Sequence, residues 1–177
     1  MEPELSPIGI LEHLSQDEVT ELSTYGEFVP VQTGQYLIAE GQQQDSLFLL
    51  VNGSLKIQVT VNDRAIALAP PVEPGQCVGE VNMFDPQDAS ASVVAAAFCQ
   101  VWRINRAMLN SFLTDNPSAA AKFLIGISHQ LATRVRNANQ NLTKARDVLP
   151  QLTERLKDIK ESITGAQEDI SEMIAML

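Results

Sequence analysis

The chain has 177 residues, 45% of them hydrophobic. That suffices for one core of roughly 110–120 residues with an appended element and leaves too little for two full domains. The formal net charge of −10 is unevenly spread: residues 1–116 carry four Lys/Arg against fifteen Asp/Glu, residues 117–146 carry five basic groups and no acid, and residues 147–177 carry three against seven. Such a distribution disfavours a polyanionic partner everywhere except on the basic segment. No apolar run is long enough for a signal peptide or a membrane span, and Cys77 and Cys99 lack a paired spacing, so a cytoplasmic protein is expected.

Near the start, SQDEVTELSTYGEF reads as a short helix: Ser15 is an N-cap, Glu18 sits at capping-box spacing, and Val19 and Leu22 share a face. From Phe28 to Ile104 the texture changes to short apolar strands separated by TG, EG, NG and PG turn signals, which argues for a barrel or jelly roll. Asn52-Gly53 is the sharpest turn signal. The pair supplies the two positive-φ residues of a type I′ hairpin, with Val51 or Leu55 turned to the core. In EPGQCVGE, Pro-Gly makes a further turn and Gly79 permits a tight backbone before Glu80.

From Pro117 onward the pattern is helical. Leu124, Ile127, Leu131, Val135, Ala138, Leu142, Ala145, Leu149, Leu152, Leu156, Ile159, Ile163, Ala166 and Ile170 recur at steps of three and four. From Val135 the steps alternate 4-3-4-3, the heptad spacing of a coiled coil, so this stripe is the expected seam of a homodimer or of a helical protein partner. Pro150 interrupts the pattern with a residue that lacks an N–H and disfavours helix at Leu149. Two outcomes stay open: a kink in one long helix, or a turn that folds the acidic 151–177 back along the basic 117–146.

Four segments occur in a fixed order: GQYLIAEG (34–41), DSLFLLVNG (45–53), PGQCVGE (74–80) and ASVVA (91–95). Over residues 10–145 the chain thereby resembles the cyclic nucleotide-binding domain of catabolite-activator-type regulators, with residues 115–138 similar to that family's dimerisation helix. The resemblance implies an α+β fold: a double-stranded β-helix, or jelly-roll, barrel with short N-terminal helices and a long C-terminal coiled-coil helix region. It divides the chain into a barrel domain at 1–116, a dimerisation-type helix at 117–149 and a C-terminal heptad helix at 150–177.

In that family a Gly-Glu pair opens the phosphate-binding cassette, the Glu receives a ribose hydroxyl, and an Arg about nine residues later pairs with the cyclic phosphate. Carried over, Gly79 and Glu80 match the opening, and Ser90, Ala91, Ser92 and Val93 resemble the end. Ala89 then stands where the Arg belongs, and no Lys or Arg occurs between Arg64 and Arg103. A charge-assisted hydrogen bond of about 1.5–3 kcal/mol is thus missing, so a cyclic nucleotide is disfavoured as a ligand. Family members also reach the base from the dimer helix; Asn137 and Asn139 occupy that stretch, and the favoured reading is that they are solvated residues flanking Ala138.

Other chemistry is short of residues. The related transcription factors continue into a winged helix-turn-helix, whereas the last thirty residues here are heptad-patterned and acidic, so sequence-specific DNA binding is not expected. With only His13 and His129, both in expected helices, a cupin metal site or a His-based catalytic triad lacks ligands, and two isolated cysteines cannot hold an iron–sulfur cluster. No cofactor, metal or catalytic residue is expected. The leading reading is a non-enzymatic regulatory or scaffold protein that dimerises and binds partners through its helices. The alternative is a ligand-gated regulator taking a cyclic (di)nucleotide or other small molecule in a non-standard mode.

Overall fold

The computed structural model describes residues 3–175, with side chains described as far as residue 163. The chain enters through a single 3-10 turn, Gly9–Leu11, followed by helix α1, Gln16–Ser23. The capping box forms as its spacing predicts. Ser15 Oγ accepts the Glu18 N–H at 3.2 Å while the Glu18 carboxylate accepts the Ser15 N–H at 2.8 Å, and Val19 and Leu22 are buried.

Eight strands follow: β1 (Glu27–Val31), β2 (Tyr36–Ile38), β3 (Ser46–Asn52), β4 (Leu55–Val61), β5 (Arg64–Ala67), β6 (Cys77–Val78), β7 (Ser92–Ala95) and β8 (Cys99–Asn105). A short helix α2, Glu80–Phe84, lies between β6 and β7. The strands form two antiparallel four-stranded sheets, ordered β1-β8-β3-β6 and β2-β7-β4-β5. This is the expected jelly roll.

Inward-facing apolar residues split into two clusters. Leu50, Leu55, Val78, Val93 and Val101 fill the space within the barrel, whereas Leu47, Leu49, Trp102 and Ile104 pack with the helices. The Trp102 indole N–H finds the Ser23 carbonyl at 3.2 Å, so the largest buried side chain also ties β8 to α1.

The turn chemistry departs from expectation at one place. Asn52-Gly53 does not close a hairpin, because β3 and β4 lie in different sheets and only Gly53, at φ +98°, takes a positive φ. The type I′ conformation sits instead at Asn62 and Asp63, φ +49° and +59°, between the paired β4 and β5. Gly53 serves a different need: a Cβ there would press on the Phe98 carbonyl and the Cys99 sulfur. Of the two core candidates at this crossing, Leu55 is fully buried and Val51 half-buried.

Helix α3, Arg106–Asp115, starts where the Asn105 side chain accepts the Met108 N–H at 2.9 Å. Helix α4 then runs from Pro117 to Ala175 with Pro150 inside it, so among the described residues the chain does not turn back at Pro150. The chain divides into two compact units, residues 1–131 and 132–177. Within the first, Ala119, Ala120, Phe123 and Ile127 of α4 are buried, and a Cβ on Gly126 would collide with the Ile10 carbonyl oxygen. The second is helical from Ala132 to Ala175.

At the start of the expected seam, Ile127 is 1% exposed in the core of the first unit, whereas Leu131, which packs against that core, and Leu124 are half-buried. Val135, Leu142, Leu149, Leu152, Leu156, Ile159 and Ile163 are exposed, as is Ala138, whereas the side chain of Ile170 lies outside the described residues. Among the described residues no helix is long and apolar enough to cross a membrane.

Candidate functional site

The residues singled out between Gly79 and Ser92 form a local cassette. Strand β6 ends at Val78, and Gly79 follows with a φ of +85° in the left-handed region, where a Cβ would strike the Ser46 carbonyl. Only glycine fits on both counts. Gln44 straps this corner from the segment just before β3: its amide nitrogen donates to the Gly79 carbonyl at 3.2 Å and its oxygen accepts the Ser46 N–H at 2.8 Å. Glu80 follows as the first residue of α2 and is 2% exposed, an unusual place for a carboxylate.

Beyond α2 the chain returns along residues 39–42. Ala89 is buried within the barrel cluster, its N–H donating to the Gln42 carbonyl at 3.0 Å and its carbonyl accepting the Gly41 N–H at 2.8 Å. Ser92 is buried and its hydroxyl oxygen accepts the Glu40 N–H at 3.0 Å; Ser90 is exposed. Gly79, Glu80, Ala89, Ser90 and Ser92 thus frame one segment of the barrel wall. Asn137 and Asn139 are exposed residues of the second unit.

Two contributors to this region were not anticipated. Gln130 of α4 clasps β6 directly before the cassette: its amide oxygen accepts the Cys77 N–H and its nitrogen donates to the Cys77 carbonyl, both at 2.9 Å. The sequence held a signal, since Gln130 falls on the same helical face as buried Phe123 and Ile127, where a polar residue needs a reason. Arg106 is the second. Its guanidinium donates to the Asn82 carbonyl of α2 at 2.7 Å and borders an open cleft of about 700 Å³ shared with Gln43, Gln44, Gln87 and Asn110. A cation therefore touches the cassette helix although none lies within residues 79–92.

Helix α4 has a second tether in the same unit. The Lys122 ammonium donates to both oxygens of Glu18, at 2.7 and 2.9 Å. That contact, followed by the Ser15 N–H, holds the Glu18 carboxyl below the usual glutamate value of 4.5.

Known proteins resemble this chain in sequence and fold. The family model for the cyclic nucleotide-binding domain matches residues 28–116. The CRP-like cAMP-activated global transcriptional regulator of Mycobacterium tuberculosis is 26% identical over 142 residues, 80% of this chain and 62% of the regulator, so the chain spans about three-fifths of that relative's length. A cyclic nucleotide-binding domain from Methylobacillus flagellatus KT superposes with a TM-score of 0.68 at 27% identity, covering 72% of each chain. The catabolite activator protein of Thermus thermophilus shares the fold, with a TM-score of 0.67 at 22% identity over 76% of this chain and 62% of that one.

These findings correct one expectation. A cyclic nucleotide was disfavoured because Ala89 replaces an arginine, yet the family model spans that very segment, and the similar Mycobacterium regulator is described as cAMP-activated. A cyclic nucleotide therefore stands among the ligands to be considered. With barrel topology, cassette backbone and family match in agreement, the chain belongs to the cyclic nucleotide-binding domain family.

Proposed function

We propose that the chain is a non-enzymatic regulatory module in which a cyclic nucleotide, held at Gly79, Glu80, Ala89, Ser90 and Ser92, alters the state of α4. The observation that carries this reading is the Gln130 clasp, because it ties the strand leading into the cassette to the helix that bears the exposed apolar stripe. Any ligand that displaces β6 or Gly79 must strain or shift that pair of hydrogen bonds. A ligand acts through such a link only by as much as it prefers one helix state over the other.

Without an arginine, the phosphate relies on neutral donors. Backbone N–H groups and the hydroxyls of Ser90 and Ser92 are the available set, since successive amides form concavities that hold anions. In this reading residues 1–116 take the ligand, 117–149 hold two copies together, and 150–177 extend the pairing surface. The exposed residues Val135, Leu142, Leu149, Leu152, Leu156, Ile159 and Ile163 support the pairing with a second copy. Asn137 and Asn139 are not required for the ligand.

Titration calorimetry with cyclic AMP, cyclic GMP and cyclic di-GMP tests the reading. One of them is expected to bind, and Ala89→Arg should tighten it by roughly 10- to 150-fold, the equivalent of one charge-assisted hydrogen bond. Absence of heat for all three, in wild type and in a folded Ala89→Arg variant, would defeat it.

A further inference from the structure

The chain has two histidines, 116 positions apart, and the fold brings them together. His13 lies in the turn after the 3-10 segment, not in a helix as the sequence suggested, and His129 lies on α4. Their rings are 5.4 Å apart, centroid to centroid, and inclined at 74°. Glu12 completes the group, with its Oε1 3.5 Å from His13 Nε2, and one donor atom from each of the three residues lies within 4.8 Å of the others.

We propose that Glu12, His13 and His129 form a binding site for a divalent transition-metal ion of the zinc class, which clamps the N-terminal turn onto α4. Two imidazoles and a carboxylate are the donor set that zinc and its neighbours accept, whereas calcium and magnesium demand oxygens. Around a tetrahedral ion with bonds of about 2.0–2.1 Å, ligand atoms sit about 3.3 Å apart. The Glu12–His13 pair already meets that spacing. Side-chain rotation closes the remaining separation from at most 4.8 Å.

The backbone beneath the donors is fixed, as a metal site requires. Ile10 donates to the Gly75 carbonyl at 2.9 Å, Glu12 donates to the Gly9 carbonyl at 3.2 Å, and neighbouring Leu11 and Leu14 are buried. On the other side, the closeness of Gly126 to the Ile10 carbonyl sets the approach of α4, one turn before His129. All three ligand residues are exposed, so the ion has an entry path, and solvent would supply the fourth position. The strongly acidic surface of residues 1–116 favours a cation electrostatically.

The test uses the full chain without a histidine tag. Zinc titrated by calorimetry should bind at one equivalent with micromolar affinity, and cobalt(II) at the same site should give the visible bands of a low-coordinate ion. The two histidine Cε1–H resonances of the wild-type protein should shift together and stop at one equivalent. Loss of an outer-sphere partner alone costs about 10- to 100-fold in metal affinity, so His13→Ala and His129→Ala should each weaken binding by at least about tenfold. Both residues are exposed, and unchanged circular dichroism is expected in the variants. Binding no tighter than millimolar, equal binding by His129→Ala, or a shift of only one histidine resonance in the wild type would each overturn the site.

Discussion

Gln130→Ala probes the connection between cassette and helix most directly. The substitution removes both partners that the Gln130 amide supplies to Cys77, a residue with 0% exposure. Taking a hydrogen-bond partner from a buried backbone group costs about 1–3 kcal/mol, so the pair gives about 2–6 kcal/mol. Alanine's better helix propensity returns less than about 0.5 kcal/mol and does not change the sign. With a urea slope of about 1–3 kcal/mol/M, the unfolding midpoint should fall by roughly 1–2 M at fixed protein concentration. Trp102, the sole tryptophan and fully buried, reports the transition by fluorescence. Gln130→Met, which keeps the volume and loses the hydrogen bonds, should fall nearly as far, whereas a mere packing role would leave it close to wild type. A midpoint for Gln130→Ala within about 0.3 M of wild type would refute the reasoning, because losses of this size cannot hide in that interval.

Leu142→Asp together with Leu156→Asp places charges on the exposed stripe of α4, and light scattering should then give the monomer mass while circular dichroism keeps the barrel signal; a mass equal to wild type would remove the pairing claim. The Glu18 carboxyl is held below 4.5 chiefly by Lys122, so its contribution to folding is complete above that value and disappears as the pH falls below 4.5 through the lowered value. Glu18→Gln should therefore show a shallower loss of urea midpoint on acidification through that window, modest because the pair is partly exposed; parallel curves would contradict the assignment.

Local patterns with one dominant cause were readable from the residues. Ser15 and Glu18 announced the capping box, Gly79 announced a backbone that excludes a side chain, and the apolar steps along 117–163 announced the helix. Turn assignment failed where two causes compete. Asn52-Gly53 has the composition of a tight hairpin, but its neighbours belong to different sheets, and the requirement at Gly53 is space beside Phe98 and Cys99. Asn62-Asp63 adopts the tight turn with no glycine at all, because a two-residue link between paired strands imposes the conformation. The short helices α2 and α3 were invisible to periodicity, since five and ten residues show too few turns of an apolar face. Contacts such as Gln130 with Cys77, or His13 with His129, join residues far apart in the chain; the helical face marks Gln130 as a polar residue in need of a partner, but no local pattern says which residue that partner is.

Ala89 shows how a sound residue-level observation can support too broad a conclusion. Losing a charge-assisted hydrogen bond of about 1.5–3 kcal/mol weakens a complex by roughly 10- to 150-fold. In the proposed reading, where backbone amides and serine hydroxyls also hold the ligand, that is a change of degree. To exclude the ligand class, the absence would have to disrupt the cassette itself, and the backbone argues otherwise. Gly79 keeps its left-handed turn, Glu80 stays buried at the head of α2, and Ala89 bonds on both sides to residues 41 and 42. In the proposed reading, less binding energy at the phosphate end makes the preference of the ligand for one helix state rest more heavily on contacts near β6, where Gln130 holds α4. Gln130→Ala should then leave nucleotide affinity nearer to wild type than Ser92→Ala does, while abolishing any ligand-dependent change in α4.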